Sequence, residues 1–339
     1  MAEEQYRIRP GTAEDLPAIL TLMKASLGEA SIPRTTRYWS WKHEENPFGP
    51  SYFWVAEAGR DLIGLRVFMR WTWRHDGRPV HAVRAVDTAT HPDWQGRGIF
   101  KKLTLALAED LAKRAVSFVF NTPNDSSRPG YLKMGWVRAG RISLWIRPEK
   151  PLNFARAVRR EDGAASRSPR GPVMAESGAE LLDSSDVDRL LRGLKPFSGR
   201  YHTPIDIAYL RWRYASCPAA RYGFASSDPN RSLIVYRLRE RRRLRELTLC
   251  DAFFEHSARG WRSAVRSVRT LVRTFEPDYA ACAAHPDPFV ASAMLASGFV
   301  PAPYVGPIVT VRPLGPAASL PDPRRFSNFR ASIGDMELF

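Results

Sequence analysis

An internal repeat constrains the fold of this chain more than any other feature of its 339 residues. When the sequence is compared with itself at a displacement of 171 positions, the pattern Y-x-x-W-K at Tyr38 falls on Y-x-x-W-R at Tyr209. The same displacement places Pro47 on Pro218 and superposes two helical patterns, TAEDLPAILTLM and SSDVDRLLRGLK. Because these matches keep their order and spacing across separate segments, they predict two copies of one fold.

The repeat continues with a shorter displacement of about 163 or 164 positions. Asp87 then falls on Asp251, and Gly135 on Gly298, as if the second copy had lost residues near a hairpin of the first. Between the copies, charged residues mix with Pro, Gly and Ser as in an exposed linker, and the last residues are similar. The sequence therefore predicts a first domain at 1–148, a linker at 149–177, a second domain at 178–315 and a tail at 316–339.

The order of elements in the first copy indicates an α+β fold. A short strand comes first, followed by a helix in which Leu16, Ile19 and Met23 recur at helical spacing. Several antiparallel strands follow, and then a strand, a long helix at 98–114, a buried strand, a short helix and the last strands. We therefore expect each copy to be a three-layer domain, with a mixed and mostly antiparallel sheet flanked by helices.

The composition is that of a globular protein, with 44% hydrophobic and 25% charged residues. The N-terminus lacks the features of a secretory signal, and no stretch approaches the roughly 18 apolar residues of a membrane span. We therefore expect a cytoplasmic protein without a membrane partner. The cysteines, Cys217, Cys250 and Cys282, have no close pair and no neighbouring histidine cluster, which predicts small buried side chains and no metal site.

A net charge of +16 favours anionic partners, among which nucleic acid, an acidic membrane surface and a phosphorylated cofactor all qualify. Much of the excess is arginine in the second half. Five arginines there recur along one face of a helical segment: Arg259, Arg262, Arg266, Arg269 and Arg273. No known DNA-binding motif and no interleaved aromatic residues accompany this charge, so a solvated face is favoured over a nucleic-acid surface.

The segment that most directly indicates chemistry is VDTATHPDWQGRGIFKKLTLALAEDL, which starts at Val86. A strand ends near Pro92, a bend carries Gly96 and Gly98, and a helix begins at once. Glycine lets the backbone approach a ligand closely, and the first turn of a helix presents unpaired N–H groups at the positive end of its dipole. The segment therefore predicts a cradle for a pyrophosphate, with a plain helix entry as the alternative.

In this context Gln95-Gly96-Arg97-Gly98 resembles the Q/R-x-x-G-x-G/A signature of GNAT N-acetyltransferases, and the order of elements over residues 5–148 is similar to that family throughout. The resemblance implies that acetyl-coenzyme A is the cosubstrate and that it contacts Thr88, Ala89, Thr90, Gln95, Gly96, Arg97, Gly98, Ile99 and Phe100. Phe100 departs from the glycine or alanine usual in the family, which crowds the helix entry and predicts a reshaped loop.

A second segment, FNTPNDSSRPGYLKMGWV, also resembles the family. There, a strand that splays from its neighbour is followed by an asparagine and a Y-x-x-x-G-F turn, which Asn124 and the segment from Tyr131 to Trp136 match. The resemblance implies that Asn124 contacts the cofactor arm and that Tyr131 is the general acid for the departing thiolate. A phenol can do this only within hydrogen-bond reach of the sulfur. A packed amphipathic ring is the alternative.

Acetyl transfer to an amine also requires a general base, for which a carboxylate or an ordered water relay commonly serves. Asp87 lies on the strand that leads to the bend and is the first candidate. A purely structural aspartate is the alternative, since Asp251 keeps this residue in the second copy. His43, Glu44 and Glu45 are further candidates, because they precede the second strand near where the family places its acceptor.

The second copy lacks both features of the first. Gly260 keeps the first glycine of the bend, but Trp261 and Arg262 follow it. Met294 stands where the first copy has Tyr131. Since a methionine cannot donate a proton to a thiolate, we expect this copy to cover the acceptor site, to form a homodimer contact or to stabilise the chain.

The sequence thus predicts an acetyl-CoA-dependent N-acetyltransferase that moves an acetyl or similar acyl group to a primary amine. One alternative is a regulatory protein that binds acyl-CoA without catalysis, which Phe100 favours. Another is a basic protein associated with nucleic acid. The acceptor itself is not indicated, because acceptor pockets are built from variable segments, here about 28–50 and the hairpin near 75.

Overall fold

Two β-sheets flanked by helices make up the computed structural model of this chain, which describes residues 6–27, 34–151, 153, 178–195, 198–241, 244–302, 304–315 and 320–336. The strands are β1 (Arg7–Pro10), β2 (Tyr52–Ala58), β3 (Asp61–His75), β4 (Arg78–Thr90), β5 (Phe118–Asn121), β6 (Val137–Arg141), β7 (Leu144–Pro148), β8 (Tyr201–His202), β9 (Gly223–Ala225), β10 (Ser232–Arg241), β11 (Leu244–Phe254), β12 (Tyr279–Ala283), β13 (Val300–Ala302), β14 (Ile308–Pro313) and β15 (Phe329–Arg330). The helices are α1 (Leu16–Leu27), α2 (Thr36–Trp39), α3 (Ile99–Ala112), α4 (Arg128–Lys133), α5 (Ser185–Arg192), α6 (Ile207–Leu210), α7 (Ala258–Phe275) and α8 (Pro288–Ala296). The α+β class and the mostly antiparallel sheets that the sequence predicted are confirmed.

The two sheets exchange a strand with each other. The first sheet has the order β1-β2-β3-β4-β5-β14-β6, and the second has the order β13-β7-β12-β11-β10-β9. Strand β14, from the C-terminal half, lies antiparallel between β5 and β6, while β7, from the N-terminal half, lies antiparallel between β12 and β13. Each sheet therefore contains strands from both of the domains that the sequence predicted at 1–148 and 178–315. Neither sheet is complete without a strand from the other half.

Strand β4 runs without interruption from Arg78 to Thr90 and leads directly into the bend. The register with β3 shifts between Arg66 and Phe68, which is a bulge that absorbs the irregularity without ending the strand. The bulge lies beside the segment that carries the predicted site.

A reciprocal pair of tryptophans joins the two halves. Trp41 and Trp212 each lie in a π-helical turn, Ser40–Glu44 after α2 and Arg211–Ala215 after α6. The indole N–H of Trp41 donates to the Trp212 carbonyl oxygen at 2.6 Å, and the indole N–H of Trp212 donates to the Trp41 carbonyl oxygen at 2.7 Å. The rings stack with their centroids 5.8 Å apart. Each tryptophan thus satisfies a backbone group of the other inside the core.

We expect Trp212→Phe to lower the free energy of unfolding more than Trp73→Phe does, by about 1–3 kcal/mol. Both indoles are buried, so each change removes a similar ring volume. Only Trp212→Phe also removes a hydrogen bond and leaves the Trp41 carbonyl unsatisfied, because within the described part of the chain the indole nitrogen of Trp73 has no partner. Urea denaturation of both variants measures the difference, and equal losses would contradict the role given to this bond.

The C-terminal segment packs against the rest of the chain. The composition predicted an exposed tail at 316–339, but within 320–336 the side chains of Phe329 and Met336 are buried. Strand β15 pairs with β8, and the buried guanidinium of Arg213 donates to the Gly334 carbonyl oxygen at 2.9 Å. The correction has a simple reason: long-range pairing orders a segment whose own sequence has no periodicity.

Helix α7 separates its charged residues from its apolar ones. Its five arginines, Arg259, Arg262, Arg266, Arg269 and Arg273, are exposed, while the valines of the opposite face are buried. This agrees with the amphipathic pattern read from the sequence.

The three cysteines are also buried, as predicted. Within the residues described, no helix has the length and apolar character that a membrane span requires.

Candidate functional site

The bend between β4 and α3 is open to solvent. After a 3-10 turn at Pro92–Trp94, the chain passes through residues 95–98, which are exposed, and enters the helix at Ile99. Gly96 and Gly98 have φ values of +77° and +76°, a region that glycine occupies without strain. A Cβ atom added at either glycine would meet no atom within 4 Å. The backbone of the bend is therefore accessible to a ligand.

The N-terminus of α3 is free of a side-chain cap. Its N-cap residue is Gly98, which has no side chain to accept a bond from the first turn. The amide of Lys102 donates to the Gly98 carbonyl oxygen at 3.0 Å, so the preceding amides of the first turn lie before the first intrahelical bond. These N–H groups point out of the helix at the positive end of its dipole, which favours an anion.

The side chains around the bend leave this backbone uncovered. The side-chain Nε2 of Gln95 donates to the Thr90 carbonyl oxygen at 3.4 Å, and the guanidinium of Arg97 stacks over the Trp94 ring, 4.5 Å from its centroid. Ile99 is buried among apolar residues and anchors the start of the helix. Only its backbone can therefore take part in binding.

A gap opens beside β4 next to the bend. Strand β4 pairs in parallel with β5 only where residues 82–84 face 118–120, and beyond that point β4 pairs with β3 alone among the described strands. Thr88, Ala89 and Thr90 lie along this diverging part of β4. The Thr88 hydroxyl donates to the Leu65 carbonyl oxygen at 3.1 Å, and Ala89 is buried. Beyond residue 84 this edge of β4 therefore has no neighbouring strand among the described residues.

Tyr131 lies on α4 at the far side of this gap and is 4% exposed. Phe100 covers it in an edge-to-face contact with the ring centroids 5.7 Å apart. The extra bulk that Phe100 brings to the helix entry is therefore directed onto Tyr131 and away from the glycines. The Tyr131 hydroxyl accepts a hydrogen bond of 2.8 Å from the guanidinium of Arg66. Because a guanidinium can only donate, the proton of the hydroxyl must be directed to another acceptor.

Arg66 is a functional candidate that the sequence analysis missed. Its side chain is 0% exposed, and its other hydrogen bond goes to the Val86 carbonyl oxygen at 3.3 Å. Within the described residues it has no carboxylate partner, and its Nε atom is buried without an acceptor. The rings of Phe68, Phe100 and Tyr131 lie 4.8, 5.5 and 5.4 Å from the guanidinium carbon. Because aromatic rings stabilise a buried charge less than a carboxylate does, this guanidinium favours a negative charge nearby. The signal in the sequence is a lone arginine inside the apolar strand LIGLRVFM.

Asn124 is exposed and organises the turn before α4. Its side-chain oxygen accepts a hydrogen bond of 2.8 Å from the Ser127 amide, and its carbonyl oxygen accepts one of 3.0 Å from the Arg128 amide. These bonds set the direction in which α4 leaves the turn, and so help to place Tyr131. The contact between Asn124 and a cofactor arm stays a prediction.

The carboxylate of Asp87 contacts two side chains, Lys42 and His43, of the π-helical turn at Ser40–Glu44. Its carboxylate lies 2.8 Å from the ammonium of Lys42 and 2.9 Å from Nε2 of His43, and its side chain is 16% exposed. Burial raises the pKa of Asp87, but the charge of Lys42 and the bond with His43 outweigh burial and lower the pKa below its usual range. An ionised carboxylate with two partners is a weak proton acceptor, so its role as general base stays a prediction.

His43 connects Asp87 to a small cavity. Nδ1 of His43 lies 2.9 Å from the Ser51 hydroxyl, which forms a chain from Ser51 through His43 to Asp87. The cavity has a volume of about 180 Å³, and Trp39 and Phe53 also line it. The other candidates from the sequence do not join this chain: Glu44 is exposed and bonded to Ser40, and Glu45 is exposed and paired with Arg37.

The corresponding helix of the second half has no open bend. The Ser257 hydroxyl caps α7 by accepting a bond of 3.1 Å from the Gly260 amide. A Cβ atom added at Gly260 would clash with the Glu255 carbonyl. Met294 is buried on α8 in an apolar cluster. The second half therefore offers neither a free helix N-terminus nor a phenol at these positions.

A family model matches the N-terminal part of the chain. Residues 7–139 match the family model described as an acetyltransferase (GNAT) domain. This range contains the bend, the gap beside β4, Tyr131 and the Asp87 cluster. No curated protein matches the sequence significantly.

Solved structures share the fold over most of the chain. A probable N-acyltransferase of unknown function from Enterococcus faecalis V583 has a TM-score of 0.62 at 11% identity, with 92% of this chain and 73% of that chain covered. A GCN5-related N-acetyltransferase from Anabaena variabilis ATCC 29413 has a TM-score of 0.60 at 12% identity, with coverages of 91% and 73%. Eis1 from Mycobacterium abscessus has a TM-score of 0.55 at 16% identity, with coverages of 91% and 74%. At these identities the likeness shows the fold alone, and with the family match it supports acyl transfer in general.

Proposed function

We propose that this chain is an acetyl-CoA-dependent N-acyltransferase that moves an acetyl or similar acyl group to a primary amine. The observation that carries this proposal is the combination of an open, uncapped helix entry at Gly98 with a buried phenol, Tyr131, across the gap beside β4. The helix entry suits the anionic pyrophosphate end of coenzyme A, and the phenol suits the thioester end, where the reaction takes place. The two are joined by the diverging edge of β4.

The residues present fit acyl-coenzyme A. The backbone of Gly96 to Phe100 would hold the pyrophosphate, since no side chain blocks the glycines, and Thr88 to Thr90 would line the arm. When bound, the cosubstrate supplies an activated acyl group as a thioester. Because the Tyr131 hydroxyl accepts its bond from Arg66, its own proton is not engaged by Arg66. Tyr131 would then donate this proton to the departing sulfur. The charge of Arg66, which has no carboxylate partner among the described residues, favours a thiolate near this hydroxyl.

We propose that Asp87 and His43 act together as the general base that accepts the proton of the amine. Asp87 orients the imidazole through Nε2, and Ser51 binds the other ring nitrogen and faces the cavity. Imidazole ordinarily titrates near neutral pH, which suits a general base better than a carboxylate whose pKa is lowered. In this assignment Asp87 positions the imidazole, and the proton reaches it through the Ser51 hydroxyl.

A second candidate function is acyl-CoA binding without turnover. The observations that favour it are the burial of Tyr131 and the contact of its ring with Phe100, because a buried phenol meets a ligand only after neighbouring side chains move. For the second half, we propose that it is a diverged copy of the first half and that it stabilises the chain through the exchanged strands β7 and β14.

Calorimetry followed by a thiol-release assay tests the proposal. We expect acetyl-CoA to bind the purified chain with about micromolar affinity, and a panel of primary amines to cause steady release of free coenzyme A thiol. Tight binding without release by any amine would favour the second candidate. Absence of acetyl-CoA binding would remove both.

A further inference from the structure

A large apolar cavity lies in the second sheet, away from the bend and Tyr131. It has a volume of about 510 Å³ and lies on the face of β11 opposite α7. We propose that this cavity binds an apolar ligand with a carboxylate head, of the chemical class of a medium-chain fatty acid. The proposal is independent of the acyl-transfer function.

Strands of both halves form the floor of the cavity. Leu144 and Ile146 of β7 and Ala281 of β12 line it, and β7 is the strand that the N-terminal half contributes to this sheet. Ile333 and Met336 of the C-terminal segment also line it. A volume of this size with mostly apolar walls falls within the range of small-molecule sites in proteins, about 300–1,000 Å³.

The polar groups of the cavity form one corner around Glu246. The Glu246 side chain is 3% exposed and accepts bonds of 2.9 and 2.6 Å from the guanidinium of Arg239, together with bonds from the Thr248 and Tyr279 hydroxyls. Burial raises the pKa of Glu246, but the charge of Arg239 and these bonds outweigh burial and lower the pKa. Glu246 therefore stays ionised, and protein donors already occupy its oxygens.

Arg241 supplies the charge that a ligand would meet. Its side chain is 57% exposed, and its contact with Glu246 is 3.9 Å, at the limit of an ion pair. Since Glu246 compensates Arg239, this corner carries a surplus positive charge. A carboxylate would pair with Arg241 while its hydrocarbon chain fills the apolar part, whereas an ammonium group would be repelled. The charge at the mouth therefore selects an anionic head group.

Calorimetry with three ligands of equal chain length tests the head group. We expect decanoate to bind the full chain, decanol to bind about tenfold or more weakly because it lacks the charge, and decyltrimethylammonium not to bind. Equal affinities for decanoate and decanol would overturn the role of the charge. Absence of decanoate binding would overturn the proposal.

Two variants locate the binding to this cavity. Arg241→Gln should weaken decanoate binding by about tenfold or more, while Arg262→Gln, a change of an exposed arginine on α7, should leave it unchanged. Ala281→Phe should abolish it by filling the cavity, with thermal melting as the check that the variant folds. Decanoate binding that survives both Arg241→Gln and a folded Ala281→Phe would place the ligand elsewhere and overturn the proposal. If Ala281→Phe does not fold, the comparison of Arg241→Gln with Arg262→Gln decides.

Discussion

Gly98→Glu is expected to reduce the affinity for acetyl-CoA by at least about a hundredfold. Gly98 is the uncapped N-cap of α3, with a φ value of +76°. A glutamate there places a carboxylate beside the amides that would bind the pyrophosphate, so the variant would repel the anion and compete for its donors. It also costs about 1–2 kcal/mol of backbone strain, because residues with a Cβ rarely adopt this conformation. Calorimetry measures the loss directly.

Two control variants separate charge from strain. Gly98→Ala adds the strain without the charge, so we expect it to weaken binding less than Gly98→Glu does. Gly59→Glu adds the same charge at another open glycine, which has a φ value of +60° and lies in the turn between β2 and β3. It should destabilise the chain to a similar extent and leave acetyl-CoA affinity unchanged. If Gly59→Glu weakened binding as much as Gly98→Glu, the bend would not be the anion site.

Features that depend on neighbours in the sequence could be predicted. The spacing of apolar residues indicated α3 as 98–114, and the structure has it at Ile99–Ala112. The glycines of the bend were predicted as a close-approach turn, and both have positive φ values with open space in front of them. In each case, backbone preference and side-chain periodicity within a few residues determine the conformation.

Features that depend on long-range pairing could not be predicted. An antiparallel strand offers the same backbone hydrogen bonds to either sheet, so the sequence of β7 does not indicate that it pairs with β12 rather than with β5. The contact of Lys42 and His43 with Asp87 joins segments about 44 positions apart, and no local pattern encodes it. Arg66 is visible in the sequence as a lone arginine in an apolar strand, but its role could not be predicted because it arises from burial next to Tyr131.

Tyr131→Phe is expected to lower the rate of thiol release by about a hundredfold or more while leaving the affinity for acetyl-CoA nearly unchanged. The change keeps the ring and its contact with Phe100, and it removes only the hydroxyl that Arg66 holds. Because that hydroxyl accepts from the guanidinium, it is the proton of the phenol, and not its lone pair, that remains for the departing sulfur. Steady-state rates with a saturating amine measure the effect.

Tyr201→Phe is the matched control. Tyr201 is also buried, and its hydroxyl donates to the Pro321 carbonyl oxygen at 2.6 Å, far from the bend. Removing this hydroxyl should lower the free energy of unfolding by about 1–3 kcal/mol and leave the rate unchanged. With that result, the loss of a buried hydroxyl as such could not account for a slow Tyr131→Phe variant. If Tyr131→Phe instead kept its rate, the phenol would be a packing residue, and another group or solvent would have to protonate the thiolate.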